Sequence, residues 1–461
     1  MGERHLIVVG QGAAGLSAAL AAAETARERG VAVRVTAVDR ADAAQAGGNS
    51  RWSPSNIRMA SVTAMEPGFV DAVLEESGGR ADRAYFARLA AEAPAMAARL
   101  VRLGVEFHSP PYYLARGPAR IQPVGGGAAL VRALRAAAGA AGVDFVQERP
   151  LRRLLVEDGR IAGIACEGAG DALRGDAVVL ASGGFQGSAA MMREQFGEAA
   201  PSMRPISPGT PFDDGAGIRA ALDAGARRAG DWDGMHAEPV DARCPGPSPV
   251  VLVYPYGIVV DRDGRRFFDE GAGLMHETWE AFARAIQFER PGRIVYAVMD
   301  SRLLQVPDWT RAVRSDVPPW QSDTLDGLAA QMGVPAAALE ATVRAFNAAA
   351  TGDAARFDAT RTDGLATAPG YAPPKSNWAR RLETPPFLAW PLVGAIAYTF
   401  GGIETDAEAR VLGARGPIPG LYAAGEATGH FHGRAPNAVS MLRALVFGRI
   451  AGCNAIRELS N

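Results

Sequence analysis

The segment from Leu6 to Asp39 constrains the fold more than any other part of the chain. An apolar run, Leu6-Ile7-Val8-Val9, leads into Gly10-Gln11-Gly12-Ala13-Ala14-Gly15. An alanine-rich stretch of helix-forming composition follows, and a second apolar run, Val31 to Val38, ends at Asp39. The order is strand, tight turn, helix, strand, acid, which is the layout of a dinucleotide-binding unit. Gly10 permits the turn, Gly12 lets a pyrophosphate approach the backbone, and Gly15 lets helix and strand pack closely. Ala14 sits in the same turn. The helix start offers unpaired N–H groups and a positive dipole end to phosphates. Asp39 is placed to accept hydrogen bonds from a ribose. An adenine dinucleotide is the expected ligand.

Composition narrows the class. With 461 residues the chain can bury a large core across two or three domains. A net charge of −2 gives no global attraction to nucleic acid or to an anionic membrane. No apolar run approaches the ~20 residues of a membrane span. Gly10 lies so near the start that a signal peptide is not expected, and the cytoplasm is the expected compartment. Cys166, Cys244 and Cys453 are far apart and form no CxxC, which argues against disulfides, an iron–sulfur cluster and a thiol relay. Lys375 is the only lysine, so a Schiff base would have one candidate.

Further along, Asp144 to Gln147 reads as a third strand, and Leu151 to Glu167 as a hairpin turning at Asp158-Gly159. Ala177 to Leu180 is another short apolar strand, running into Ala181-Ser182-Gly183-Gly184. A proline-rich segment (Pro239, Pro245, Pro247, Pro249) opens a region of different texture. There Tyr256 to Phe268 suggests an antiparallel hairpin about Asp263-Gly264. Helical patterns follow from His276 to Ile286 and from Leu325 to Ala350.

The last third carries the second strong signal. Pro419 to Glu426 reads as a buried strand ending in a glycine turn and an acid, and Asn437 to Gly448 reads as a helix. A strand, turn and acid before a helix start can grip the far end of a cofactor already held at its adenine end. A nicotinamide dinucleotide needs no such distant clamp, whereas an extended FAD does. Cofactor motifs lie on both sides of residues 231–369 but not within them. The expected division is therefore an FAD-binding domain from 1–230 and 370–461, with 231–369 as an inserted cap over the substrate.

The ordered motifs resemble the FAD-binding fumarate reductase/succinate dehydrogenase flavoprotein superfamily nearly end to end. They are Gly10-x-Gly12-x-x-Gly15, Gly47-Gly48-Asn49-Ser50, Ala181 to Gly184, Gly209 to Gly217, Pro419 to Glu426, and His432-Gly433 with Ser440 to Arg449. Within it, Gly47 to Arg51, Tyr256 to Val260 and Gly264 to Gly271 are most similar to tricarballylate dehydrogenase. The resemblance implies an α/β fold: a Rossmann-like, glutathione reductase-type FAD-binding domain with an inserted α+β capping domain. It implies that Asp39 holds the adenosine ribose and that Asn49 and Ser50 lie against the flavin. Asp214 would contact the pyrophosphate or ribitol region, and Glu426 the ribitol. Ser440 and Met441 would put backbone N–H groups near flavin N1 and O2. Relatives with covalent FAD carry a histidine near Gly47–Ser50; none lies between His5 and His108 here, so the FAD is expected to be non-covalent.

Departures from the resemblance bear on the reaction. Soluble fumarate reductases have a proton-delivering arginine where this chain has Gly271 to Met275, and their carboxylate-gripping set is replaced by Val250 to Tyr256. The histidine expected before Gly401-Gly402 is Tyr398 or Thr399. A different activated C–C bond is therefore expected: a base removes the proton α to a carboxylate or carbonyl while hydride passes to flavin N5. Tricarballylate-like substrates lead, with desaturation of a cyclic ketone or keto acid as the rival; fumarate reductase-type ene reduction and a non-catalytic FAD protein follow. The expected carboxylate anchor is Arg434, ahead of Arg51, Arg116 and Arg120, because a guanidinium pairs both oxygens. The acid/base candidates are His236, Tyr256, Tyr398 and His432, with Glu270 and Glu277 read as solvated or structural. The expected partners are a small carboxylate or keto substrate and an electron acceptor of unknown identity; no metal is expected.

Overall fold

A computed structural model describes residues 4–114, 117–168 and 172–460. Its first sheet has six strands in the order Arg410–Gly413, Gly416–Ala423, Ala177–Leu180, Arg4–Val9, Val33–Val38 and Asp144–Val146. All neighbours are parallel except the edge strand Arg410–Gly413. A parallel sheet covered on both faces needs strands that are apolar throughout. That is why Leu6-Ile7-Val8-Val9 and Ala177 to Leu180 read as unbroken apolar runs, and all of them are buried.

The helix Ala13–Arg29 crosses from the first strand to the second, and the C-terminal helix Ser440–Leu459 packs along it. Small residues let the two backbones meet. A Cβ on Gly448 would lie 2.3 Å from the Ala14 carbonyl oxygen, and one on Gly452 2.1 Å from that of Ala18. The alanine richness of the first helix is thus the complement of two glycines on the last. The C-terminal helix begins at Ser440 rather than Asn437, because Ala438 takes a left-handed conformation (φ 57°) that ends the preceding turn.

The second sheet is built around the long buried strand Phe387–Thr399. Met235–Asp241, Val295–Asp300 and Trp320–Ser322 pair with it antiparallel, Ile258–Val260 pairs with Val295–Asp300, and Arg204–Pro205 joins it in parallel. Among the described residues, no strand between 231 and 369 enters the first sheet. The second sheet, however, takes its central strand from beyond 369. The 13 residues Phe387–Thr399 run its whole length and deliver Tyr398 to the junction of the two sheets.

Several local expectations shift. The hairpin forms as Leu151–Glu157 and Arg160–Cys166, with Asp158 (φ 50°) and Gly159 (φ 75°) in its turn. The helical stretch from Leu325 is two helices, Leu325–Met332 and Ala336–Ala349, parted by Gly333 (φ 67°) and Pro335. Between Tyr256 and Phe268 only Ile258–Val260 is strand, with a single bridge from Val260 to Arg266, because Tyr254–Tyr256 closes into a 3-10 turn. No described helix is long and apolar enough to cross a membrane.

Candidate active site

A deep cleft runs from the Gly10–Gly15 turn, across the start of the C-terminal helix, to the Tyr398 end of the second sheet. At its nucleotide end the three glycines behave differently. A Cβ on Gly10 (φ 104°) would lie 2.3 Å from the Ala181 carbonyl oxygen, and one on Gly15 1.8 Å from that of Gly10. Those two glycines are needed for the chain to pack on itself. A Cβ on Gly12 would meet nothing nearer than Ser50 Oγ at 3.4 Å, so this glycine keeps open a space on the cleft wall. Ser50 Oγ accepts a hydrogen bond from Ala13 N at 3.1 Å. Asp39 accepts from Gln11 N (2.8 Å) and Ala41 N (2.9 Å); burial raises its pKa, and those two N–H groups partly restrain the rise.

The middle of the cleft holds two acids, Asp213 buried and Glu426 half-buried. A Cβ on Gly183 would fall 2.0 Å from Asp213 Oδ1, and one on Gly184 2.1 Å from Glu426 Oε1. The glycine pair therefore lets both carboxylates reach the backbone. Asp213 accepts from Asn49 Nδ2 (2.9 Å) and Gln186 Nε2 (2.8 Å), and Glu426 from Thr399 N (3.1 Å). Burial lifts Asp213 well above the usual carboxylate range, and the charges of Glu426, Asp39 and Asp214 add to the rise. Burial likewise lifts Glu426 to about 7, against the Thr399 N–H and the Arg443 charge.

Asp214 also lines the cleft, but Arg40 pairs with its carboxylate, and it is Asp213 that is buried. The sequence offered two adjacent acids and no way to tell inside from outside. Asn49 is fully engaged: beyond Asp213, its Oδ1 accepts from Ser207 Oγ (2.6 Å) and Thr210 Oγ1 (3.0 Å).

Ser440 and Met441 line the cleft at the start of the C-terminal helix, where no side chain caps the first-turn N–H groups. One turn on lies Arg443, which the sequence reading missed. It is fully buried, stacks on Phe431 at 3.8 Å and donates from Nη1 to the Thr428 carbonyl at 3.2 Å. Its Nε and Nη2 have no hydrogen-bond partner, and neither has the buried Ser182 Oγ on the same wall. Burial lowers its pKa. The open space at Gly12, the uncapped helix start and these orphan donors fit an anionic, extended FAD.

The far end is built from one cross-strand pair and one helix face. His236 and Tyr398 are directly opposite on antiparallel strands, so their rings share a side and stack at 4.8 Å. Glu238, two residues on, lies on the same side as His236. The helix Met275–Glu289 presents His276, Trp279 and Glu280 from adjacent turns. Glu280 Oε2 lies 3.3 Å from His236 Nδ1, and Glu238 Oε1 3.3 Å from Nε2. Only an imidazolium can donate to both carboxylates. Burial opposes the charge, but the hydrogen bonds to Glu238 and Glu280 outweigh it and raise His236 to about 9. Burial would also raise Glu238, yet His236 and the Arg314 charge hold it below its usual value. Tyr398 is pushed far above its ordinary pKa by burial and by the Glu280 charge, so it keeps its proton.

Of the five proposed catalytic side chains, His236 and Tyr398 are brought together on the cleft wall. Tyr256 is not: it is buried under the second sheet, donates to the Ala359 carbonyl at 2.8 Å and packs on Trp378. His432 faces Asp231 (3.0 Å), which also pairs with Arg80 (2.7 Å). Arg434 is exposed and off the cleft wall, although its charge reaches His276. Arg51 donates to the carbonyls of Ala44 and Ala46, holding a loop. Arg120 lines the cleft, and Arg116 lies outside the described residues. Glu270 is structural, buried against Arg266 at 2.6 Å, and Glu277 accepts from Leu274 N at 2.9 Å at a helix start.

Residues 5–441 match the family described as "FAD binding domain". The chain is similar to an NADH:acrylate oxidoreductase of Vibrio harveyi, 31% identical over 66% of this chain and 29% of that protein. It is similar to a 4-oxocyclohexanecarboxylate 2-dehydrogenase of Sinomonas cyclohexanicum, 31% identical over 66% of this chain and 55% of that one. The chain therefore spans less than two thirds of either relative. Among solved structures, the open conformation of a flavocytochrome c3 fumarate reductase superposes with a TM-score of 0.77 at 23% identity, over 100% of this chain and 79% of that one. A 3-ketosteroid-Δ4-(5α)-dehydrogenase from Rhodococcus jostii superposes with a TM-score of 0.70 at 23% identity, over 99% and 98%. At such identities the likeness speaks to the fold.

Proposed function

The chain belongs to the FAD binding domain family; from that premise we propose that it is an FAD-dependent oxidoreductase acting on CH–CH groups and that it reduces a carbon–carbon double bond next to a carbonyl or carboxylate. The observation that carries this direction is the proton inventory at the His236–Tyr398 wall. Tyr398 holds its proton, and His236 stays charged up to about pH 9. Both nearby carboxylates are committed to His236, so the His236–Tyr398 pair itself offers acids rather than a base at neutral pH; the neutral imidazole at this end, His276, packs instead against Tyr112. Bound in the cleft, FAD supplies two-electron hydride chemistry. The protein then has to hold the substrate, stabilise enolate-like charge and deliver one proton. Tyr398 can donate to the substrate oxygen or to carbon, and the imidazolium beside it stabilises the phenolate left behind. Dehydrogenation would need that phenolate at the outset, against burial and the Glu280 charge.

The substrate fits best as a small enone or unsaturated acid with an apolar body, because Trp279, Tyr113 and Tyr398 wall the far end. A tricarballylate-type trianion fits less well beside Glu238 and Glu280. The relatives act on acrylate and 4-oxocyclohexanecarboxylate, which supports trying both kinds of substrate. Dithionite-reduced holoenzyme should be reoxidised anaerobically by members of a panel containing acrylate, fumarate, cyclohex-2-enone and 4-oxocyclohex-2-ene-1-carboxylate. Faster bleaching of oxidised enzyme by the saturated partners, or by tricarballylate, would overturn the direction.

A further inference from the structure

Next to the substrate end of the cleft lies a second, outer cavity, and the two share Tyr113, Arg120 and Arg314 on their walls. Arg311 completes three arginines lining the outer cavity, and its described lining contains no Asp or Glu. Arg311 is answered by Asp308 at 2.8 Å. The other two make no ion pair with any described residue.

Arg120 is only 8% exposed, donates once, from Nη2 to the Pro111 carbonyl at 3.2 Å, and leaves Nε buried without a partner. Its guanidinium lies 4.5 Å from the Tyr112 ring and 4.8 Å from the Tyr113 ring. Arg314 approaches Tyr113 too, with its guanidinium 5.9 Å from the ring and Nη2 donating to Oη at 3.3 Å. Two cations thus approach one phenol on the wall that the cavities share, and Tyr113 in turn meets Trp279 of the inner wall edge-on at 5.8 Å. Planar guanidiniums fixed on aromatic rings are pre-organised for a carboxylate. Arg120 is a buried cation without an ion-pair partner, which is costly, and a ligand anion would remove that cost; Arg314 is half-buried and shares its charge with Glu238.

We propose that Arg120 and Arg314, both set against Tyr113, form a subsite for a carboxylate of the substrate distal to the reacting C–C bond. The inner wall, with Glu238 and Glu280, repels such a group, so charge orients the substrate with its anionic end at the shared wall and its carbonyl end at Tyr398. The enzyme then selects keto acids or unsaturated diacids over neutral ketones. This deepens the reductive reading and rests on it for which end reacts, but binding can be measured without turnover.

Cyclohexanecarboxylate and its methyl ester are titrated into oxidised holoenzyme, read by perturbation of the flavin spectrum. The acid should bind at least ~10-fold more tightly than the ester, and Arg120→Gln and Arg314→Gln should each weaken the acid by ~10- to 100-fold while leaving the ester unchanged. Added salt should weaken the acid alone. Equal affinity of acid and ester for the wild-type protein overturns the proposal, as does equal loss of both ligands in folded variants. In turnover, 4-oxocyclohex-2-ene-1-carboxylate should outrun cyclohex-2-enone. If neither enone reoxidises the reduced enzyme, the reductive reading fails, and the acid–ester comparison still decides the subsite.

Discussion

The nucleotide end and the substrate end of the cleft are built by different means. The nucleotide end is backbone: glycines whose missing Cβ atoms let chains meet, and helix starts whose N–H groups face the cleft. Those features are local in sequence, and each follows from a few consecutive residues. The substrate end is side chains gathered from distant segments: His236 and Glu238 from one strand, Tyr398 from another, Trp279 and Glu280 from a helix, Arg120 and Arg314 from loops. Conserving a cofactor requires little more than keeping the backbone, whereas changing a substrate requires only exchanging side chains on a fixed frame.

The sharpest way to break this contrast is at the glycines. Gly15→Ala should abolish folded holoenzyme, because its Cβ would sit 1.8 Å from the Gly10 carbonyl oxygen. Gly12→Ala should leave the fold intact, since nothing of the protein lies within 3.4 Å. Gly12→Leu should fold yet lose FAD, because the side chain fills the open space on the wall. Soluble yield and FAD released on denaturation read both effects; a flavin-loaded Gly15→Ala protein would show that the turn tolerates what its packing forbids.

The next largest effect is expected at Tyr398. Tyr398→Phe should lower kcat by ~10²- to 10⁴-fold, the range of general acid catalysis, with FAD content unchanged because Glu426 and the glycine turns remain. Near-normal turnover would remove Tyr398 as the acid.

How far the site could be read beforehand follows the same contrast. That Asp39, Ser50 and Glu426 would line one cleft was legible because a glycine pattern fixes where the chain must go. Asp213 was hidden by its neighbour, and only burial separates it from Asp214. Arg443 is one more helix arginine in the sequence, and only the fold shows that Met441 to Gly448 are buried all round. The His236–Tyr398 pair could be named but not joined, since strand register sets it. The long strand Phe387–Thr399 gave no alternating pattern, because both its faces are covered.

A subtler test concerns the charge on His236. Its pKa near 9 lies above the ordinary 6.5. Its pairing therefore stabilises the fold fully below about pH 6.5, and that contribution is lost as pH rises through about 9. Activity that depends on the imidazolium should fall over the same upper limb. Glu280→Gln removes one of the two carboxylates and should move that limb down by about one pH unit or more. An unmoved limb would assign the titration to another group.

The smallest effect is expected at Arg434, where sequence and structure pull apart. Read from the ordered motifs, this arginine is the natural carboxylate anchor, and its removal would cost ~30-fold or more in kcat/KM. In the fold its side chain is exposed beside the turn Ala435–Ala438 and does not reach the cleft wall. An exposed substitution of this kind changes free energies by about 0.5 kcal/mol or less, roughly twofold in a rate. Arg434→Ala should therefore turn over within ~2-fold of wild type. What it should change is His276, which lines the cleft. Burial lowers that pKa most, and the Arg434 charge is among the smaller causes holding it down. Removing the charge should let His276 titrate at slightly higher pH, measurable by NMR of the imidazole. A loss of 30-fold or more, with FAD retained, would mean that the turn carries Arg434 onto the substrate when it binds. The substrate end would then be assembled by ligand as well as by fold.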